Sequence, residues 1–360
     1  LGLRPCGAVS GVRWGERGSF KINTKTGVEE GRYQVAGGSP SRTSVNLLGD
    51  VAVSSRDPGA VTKIISNKEK CPDKNNDGMI TTSTGPGDIK PFGQDECVEW
   101  SINVPSNSYT NGPRATAWQG SQPDPDTCEF PTPNLWFAWR DNVGNGRFQL
   151  VNGASGALIN EASFPWSGNS NFSPYGGAVN AKGDFFASGL GSDPAVKVDA
   201  LTFQVTNLGN PPGGCKYGMT LDENGDLWAA GYCNNAVFHY SAQNNQWTQV
   251  SGSGGNWVLG VMADGDGSVW GAGVQPCRLV RVDVASKTFV NNNIALPGCS
   301  EPWGVSIDFE GNVWVVDKAN KAFKVDSDTY QVLSVVEGLV GPYTYSDMTG
   351  IALKNAIMPQ

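Results

Sequence analysis

The sequence predicts an all-β fold, a seven-bladed β-propeller whose ring is closed by the N- and C-terminal strands in one blade. Three observations carry that expectation. An aromatic residue recurs at Phe186, Trp228, Trp270 and Trp314, at intervals of 42, 42 and 44 residues, which is the spacing of a propeller blade. Glycine supplies 47 of 360 residues and charged residues only 17%, a balance that favours short strands and tight turns over helices. The chain also has an outer half-module near its start and a lone strand near its end, and joining them in one blade leaves no free sheet edge.

The elements follow in order. Val12 to Gly27 reads as the outer part of a module, ending Lys-Ile-Asn-Thr-Lys-Thr-Gly. Pro40 to Val53 is the first inner copy, with Asn46 and Gly49 at the turn. Pro113 to Ala138 is the next, with an insertion at its turn over 119–133. Residues 174–188, 216–230, 258–272 and 302–316 complete the visible set, and Ser346 to Leu353 supplies the last strand. Within a module an alternating apolar strand meets Asp/Asn-x-x-Gly, where glycine provides positive φ for a tight turn. The second strand carries the periodic aromatic, which packs as framework between sheets. A third strand ends at Lys21-Ile22-Asn23, Lys197-Val198-Asp199, Arg281-Val282-Asp283 or Lys324-Val325-Asp326. The glycine three or four residues before the turn, as at Gly176 and Gly260, fits an inner strand where blades converge.

The whole chain, 1–360, reads as one propeller domain carrying an inserted loop over 66–112. Its net charge is −8 and its pI about 4.8, so it has no basic footprint for nucleic acid. No apolar run reaches the ~20 residues of a membrane span. Eight cysteines without a CxxC pair fit disulfides and an oxidising compartment. The chain starts at Leu1 without a charged and apolar leader, as expected of a secreted protein whose signal peptide has been removed.

Inside the insertion, Asp73-x-Asn75-x-Asp77-Gly78 matches the first half of an EF-hand calcium loop. Oxygens at alternate positions wrap a hard cation, Gly78 permits the sharp turn, and Met79 offers a backbone carbonyl. Thr84 stands where the bidentate glutamate belongs, so Asp88, Asp95, Glu96 or water would complete the shell around Ca²⁺. Cys71 and Cys97 bracket this loop, and a bridge between them staples it. Module geometry pairs Cys215 with Cys233 and Cys277 with Cys299, which leaves Cys6 for Cys128.

Candidate binding residues stand where modules begin. Arg42 and Arg114 hold inner-strand positions that are glycine in other blades, and inward charges need a reason or a solvated channel. Tyr175, Tyr217, Trp257 and Trp303 lie at blade starts, placed to stack on sugar rings or partner side chains. Glu301, Asp317 and Asp347 are carboxylates placed to face the channel mouth.

The modules Tyr217–Trp228 and Pro302–Trp314 resemble those of the streptogramin lyase (virginiamycin B lyase)-like propeller superfamily. The resemblance covers most of the chain outside 66–112 and 119–133. The Ser-Arg-Thr-Ser-Val-Asn stretch at 41–46 is also similar to secreted propeller proteins of bacteria such as myxobacteria. The resemblance implies a propeller, and for the enzymes of the superfamily a histidine and a glutamate acting with magnesium at the channel mouth. The sole histidine here, His239, aligns with Lys197, Arg281 and Lys324 on an outer strand and reads as a solvent-edge residue. No catalytic residue is carried over. The expected function is therefore that of a secreted, calcium-stabilised binding, adhesion or structural propeller. Its partner would be an extracellular protein, a glycan or a second copy of itself. The alternative is a metal-dependent lyase or hydrolase using channel-mouth carboxylates.

Overall fold

The glycine-punctuated strands form seven four-stranded antiparallel sheets in the computed structural model. The structure describes residues 8–13 and 18–343, apart from 107, 123, 125, 127–129, 167–171, 173, 232 and 234–235. The first sheet uses β1 (Ala8–Arg13), β2 (Gly18–Asn23) and β3 (Glu29–Gln34). The second uses β4 (Pro40–Val45), β5 (Val51–Arg56), β6 (Gly59–Ile64) and β7 (Val98–Asn103). The third uses β8 (Thr116–Trp118), β9 (Leu135–Arg140), β10 (Asn145–Val151) and β11 (Leu158–Pro165). The fourth uses β12 (Gly176–Val179), β13 (Phe185–Ser188), β14 (Ala195–Val198) and β15 (Val205–Gly209). The fifth uses β16 (Met219–Leu221), β17 (Leu227–Gly231), β18 (Ala236–Ser241) and β19 (Gln246–Gln249). The sixth uses β20 (Trp257–Ala263), β21 (Ser268–Gln275), β22 (Arg278–Asp283) and β23 (Thr288–Ala295). The seventh uses β24 (Pro302–Ile307), β25 (Val313–Asp317), β26 (Lys321–Val325) and β27 (Val332–Glu337). β28 (Pro342–Tyr343) then returns to the first sheet and pairs with β1.

Six sheets thus come from consecutive strands, and one joins the two ends of the described chain. The first strands neighbour one another around the axis, from β1 beside β4 to β20 beside β24, and β28 lies against β25. The fold is an all-β propeller whose only helical element among the described residues is a short 3₁₀ turn, Lys68–Lys70. The closing strand expected over 346–353 lies outside the described residues. β28 makes the contact instead, a few residues upstream.

The module physics is visible in the fifth, sixth and seventh sheets. Asp222, Asp264 and Asp308 each accept hydrogen bonds on Oδ1 from the turn backbone. The turn glycines Gly225, Gly267 and Gly311 have φ of 77°, 87° and 84°, where a side chain would be strained. The same aspartates accept on Oδ2 from the indole N–H of Trp228, Trp270 and Trp314, at 2.8, 2.9 and 2.9 Å. This bond lets a fully buried tryptophan satisfy its one polar atom. It was encoded as an Asp six residues before each Trp, a spacing hidden inside the turn motif. Inner strands approach closely: a Cβ on Gly260 would meet the Trp303 carbonyl oxygen at 2.3 Å.

The structure narrows the insertion. β7 falls inside the expected 66–112 span but is the fourth strand of the second sheet, so the irregular loop runs over 65–97, within that blade and not between blades. The loop crosses to the first sheet. The Ser83 hydroxyl accepts from the Arg32 backbone N–H at 2.8 Å, and Phe92 N–H donates to the Gln34 side chain at 2.9 Å. It therefore clasps the sheet that joins the two ends.

Candidate functional site

Each first strand starts on one face of the ring, here called the upper face. Because Arg42, Arg114, Tyr175, Tyr217, Trp257 and Trp303 sit at or just before first strands, the fold gathers most of them around the axis. Tyr175 and Tyr217 have ring centroids 5.3 Å apart, and Tyr217 and Trp303 5.5 Å apart. Trp303 then meets Tyr343 at 5.2 Å. The guanidinium of Arg42 lies 4.9 Å from the Tyr175 ring centre. That of Arg114 lies 5.0 Å from Phe172 and 5.4 Å from Tyr109. Such cation–π contacts strengthen when water is excluded.

Arg56, Tyr109, Phe172 and Tyr343 belong to this cluster but were not legible in the sequence. They come from strand ends and connecting segments, which share no period with the modules. Arg56 donates to the Ser39 carbonyl at 3.0 Å and to the Tyr109 hydroxyl at 2.6 Å. Arg114 donates to the carbonyls of Tyr109, Thr110 and Gly112. Neither guanidinium has a carboxylate partner among the described residues. Burial, with Arg56 nearby, pulls Arg114 down to about 10, against the opposing influence of Tyr175, Tyr109 and Tyr343. Burial also pushes the hydroxyls of Tyr217 and Tyr343 well above their ordinary value. Of the two accounts of the inward arginines, a reason or a solvated channel, the channel is set aside: Arg42 and Arg114 are 0% and 1% exposed. Rings and arginines fill the axis here. What reaches solvent is a rim of half-buried rings, Trp257, Trp303 and Phe172, beside the exposed Tyr109, with Lys318 Nζ 4.8 Å from the Trp303 centre.

The channel-mouth carboxylates are engaged elsewhere. Asp317 is fully buried and accepts from the backbone N–H groups of Ser300, Glu301 and Ala319. Glu301 pairs with Lys318 at 3.3 Å. Asp347 lies outside the described residues.

His239 also departs from expectation. It is on β18, the third strand of its sheet, but is 2% exposed rather than at a solvent edge. The fourth strand β19 covers it, and its ring meets Trp228 edge-on at 4.8 Å. Its Nε2 bonds the Asp226 carboxylate at 2.8 Å. The same register holds Lys197 against Asp184 and Lys324 against Asp308 and Glu310, so His239 fills a cation position repeated from blade to blade. Burial alone would raise the Asp226 carboxyl. The bonds from His239 and the Ala242 N–H outweigh it and hold the group below the ordinary range. Asp222, Asp226 and His239 bring one ligand atom each within 4.8 Å of one another. Asp222 is bonded as the framework aspartates of other blades are, so the group reads as framework.

In the inserted loop, Asp73, Asn75 and Asp77 gather on one turn. Asp73 accepts from the N–H groups of Asp77 and Gly78, and Asp77 Oδ1 accepts from Met79 N–H at 2.8 Å. Asn75 Nδ2 donates to Asp77 Oδ2 at 3.0 Å. Each side-chain oxygen of these three residues accepts a hydrogen bond within the turn, Asn75 Oδ1 from the Asp77 N–H, and they adjoin the exposed Met79 segment; carboxylate and amide oxygens are the donor chemistry that a hard cation takes. Glu96 instead spends its carboxylate on the backbone N–H groups of Lys74, Asn75 and Thr81. Asp88 is bonded to Thr84 and Lys90, and no bond brings it to the Asp73 turn. Disulfides join Cys71–Cys97, Cys215–Cys233 and Cys277–Cys299, with Cα separations of 4.9, 5.5 and 6.0 Å. The Cys6–Cys128 pair lies outside the described residues.

No protein-family model and no curated protein matches the chain. Solved structures do. A streptogramin B lyase is 12% identical, with TM-score 0.59 over 95% of this chain and 92% of that one. A catalytically inactive His→Ala form of virginiamycin B lyase from Staphylococcus aureus, solved with quinupristin, is 11% identical, with TM-score 0.58 over 88% and 94%. A functionally unknown protein from Desulfotomaculum acetoxidans DSM 771 is 12% identical, with TM-score 0.64 over 94% and 97%. The chain therefore has the propeller arrangement of these lyases, and at such identities the likeness concerns the fold.

Proposed function

We propose that this protein is an extracellular binding propeller that captures its ligand on the upper face, on the ring-bearing rim around Trp257 and Trp303. The observation that carries the reading is the closed arginine–tyrosine plug beneath half-buried tryptophans. A plugged axis offers a stacking platform and no room for a substrate to descend toward a base. The lyase from Staphylococcus aureus is inactive when a histidine is replaced by alanine, whereas the only histidine here is buried as a blade clamp. Stacking on aromatic rims suits sugar rings or apolar partner side chains. The first sheet, which joins the two ends, is read as the blade that closes one 1–360 domain, and three disulfides fit secretion.

Purified protein titrated with neutral β-linked oligosaccharides should show quenching of tryptophan fluorescence, and Trp303→Ala should weaken binding by roughly tenfold. Binding that ignores both Trp257→Ala and Trp303→Ala defeats the reading. So does linearisation of quinupristin that is lost on His239→Ala.

The inserted loop completes the reading. Asp73, Asn75, Asp77 and the Met79 carbonyl hold a structural Ca²⁺ with water filling the shell, and Asp88 is left out of the set. The ion stiffens the clasp on the end-joining sheet. Calorimetry should give a Kd of ~10⁻⁴–10⁻³ M that vanishes in an Asp73→Ala, Asp77→Ala double variant. An unchanged isotherm in that variant rules the site out.

A further inference from the structure

On the face opposite the tryptophan rim, a cleft of about 500 Å³ opens between the fourth and fifth sheets. That volume is within the ~300–1,000 Å³ typical of small-molecule sites. Phe186 and Tyr240 form its apolar floor, and Leu208 one wall. Its rim carries Lys182 and Lys197 with the amides of Asn180, Asn224 and Asn245. Trp247 backs Tyr240 at 5.3 Å between ring centroids and donates its indole N–H to the Leu208 carbonyl at 2.9 Å. The two blades are thereby tied at the cleft wall, and the floor is held in place.

Asn180 and Asn245 are already bonded, to Asp184 and to the Tyr240 hydroxyl, but part of the rim is chemically unspent. The Lys182 ammonium makes no ion pair among the described residues, and the Asn224 side chain makes no hydrogen bond there. Lys197 reaches Asp184 only at 3.7 Å, and Asp184 is also held by Asn180 Nδ2 at 3.1 Å and the Ala200 N–H at 3.0 Å. Asp199 also lies within electrostatic reach of Lys197, and Asp226 of the Tyr240 hydroxyl, so Lys182 is the one lining cation left without a carboxylate among the described residues. An exposed, unpaired ammonium at the rim of an aromatic cleft is placed to meet an anionic group of a ligand. Aromatic floor, amide rim and ammonium group together match a flat hydroxylated ring bearing a carboxylate.

We propose that this cleft binds a uronic-acid-type sugar residue, its ring lying on Phe186 and Tyr240 and its carboxylate on Lys182. The Asn224 amide and the Asn245 N–H₂ take ring hydroxyls, the Asn245 oxygen being held by the Tyr240 hydroxyl. The Asp226–His239 pair beneath, through the bond from Ala242 N–H to Asp226 at 2.8 Å, fixes the turn that carries Asn245. The site is separate from the upper-face rim and does not depend on that reading.

The test is calorimetry with digalacturonate and with cellobiose as its neutral counterpart, on the full chain. Digalacturonate should bind at least about tenfold more tightly than cellobiose, and Lys182→Ala should weaken it roughly tenfold. Asn224→Ala should weaken it less. Both residues are exposed, so both variants should melt as the parent does, and Trp303→Ala should bind digalacturonate normally. Equal affinity for cellobiose, no heat with digalacturonate to about 10 mM, or full affinity in Lys182→Ala and Asn224→Ala overturns the proposal. Preference for a sulfated disaccharide over digalacturonate would reject the carboxylate as well.

Discussion

The two faces of the ring use the same side-chain types to opposite ends. On the upper face, arginines and aromatic rings converge at the axis and bury one another: Arg56 and Arg114 are 2% and 1% exposed and bond neutral oxygens. On the opposite face, lysines and aromatic rings meet at the seam between two blades. There the rings still form a floor, but the Lys182 ammonium stands in solvent. The difference lies in geometry. First strands converge toward the axis, so anything attached at their starts is crowded. Turns at the outer part of a blade diverge, so a gap between them stays open. A cation buried under rings becomes structure, and the same charge at a diverging seam is free to meet a ligand.

The sharpest way to break that contrast is to truncate one cation from each face and compare unfolding. Arg114→Ala should cost about 3 kcal/mol, because it removes buried stem volume and strands three carbonyls. Lys182→Ala, at an exposed position, should stay within about 0.5 kcal/mol. Denaturant melts read both. Equal effects would show that the upper-face cluster is a solvated site after all.

A smaller effect sharpens the same point. Lys216 precedes Tyr217 and is fully buried. Burial pulls its ammonium down to about 7, against a nearby Asp193 that works the other way. Its folded value lies below the unfolded one, so between the two the unfolded chain binds more protons and stability rises with pH. The penalty is full below about pH 7 and is relieved as pH climbs toward the free lysine value of ~10.4. From pH 7 to pH 9 the protein should gain on the order of 2 kcal/mol relative to Lys216→Met. Urea midpoints of both proteins at the two pH values measure it. Parallel curves would mean that Lys216 keeps its charge in the fold.

How much was legible follows the same division. Phe186, Trp228, Trp270 and Trp314 announced the blade because a repeated module must solve one packing problem each time, and a repeated solution leaves a period. The three described disulfides were legible for a related reason: each joins cysteines of one blade and its adjoining connections, 26, 18 and 22 residues apart, so proximity in sequence was proximity in space. Arg42, Arg114, Tyr175, Tyr217 and Trp303 were singled out because each broke or began a module.

Tertiary structure decided what those residues face. Arg56, Tyr109, Phe172 and Tyr343 join the axial cluster from segments with no period, and only ring closure brings them there. His239 looked like an edge residue because a strand's neighbours are not written in its own sequence; β19 covers it and Asp226 pairs with it. The cleft between the fourth and fifth sheets could not be read at all. Local sequence fixes each turn, but the gap between Lys182 and Asn245 depends on the angle at which two blades meet. That angle is set by packing summed along the whole seam, and no single segment encodes it.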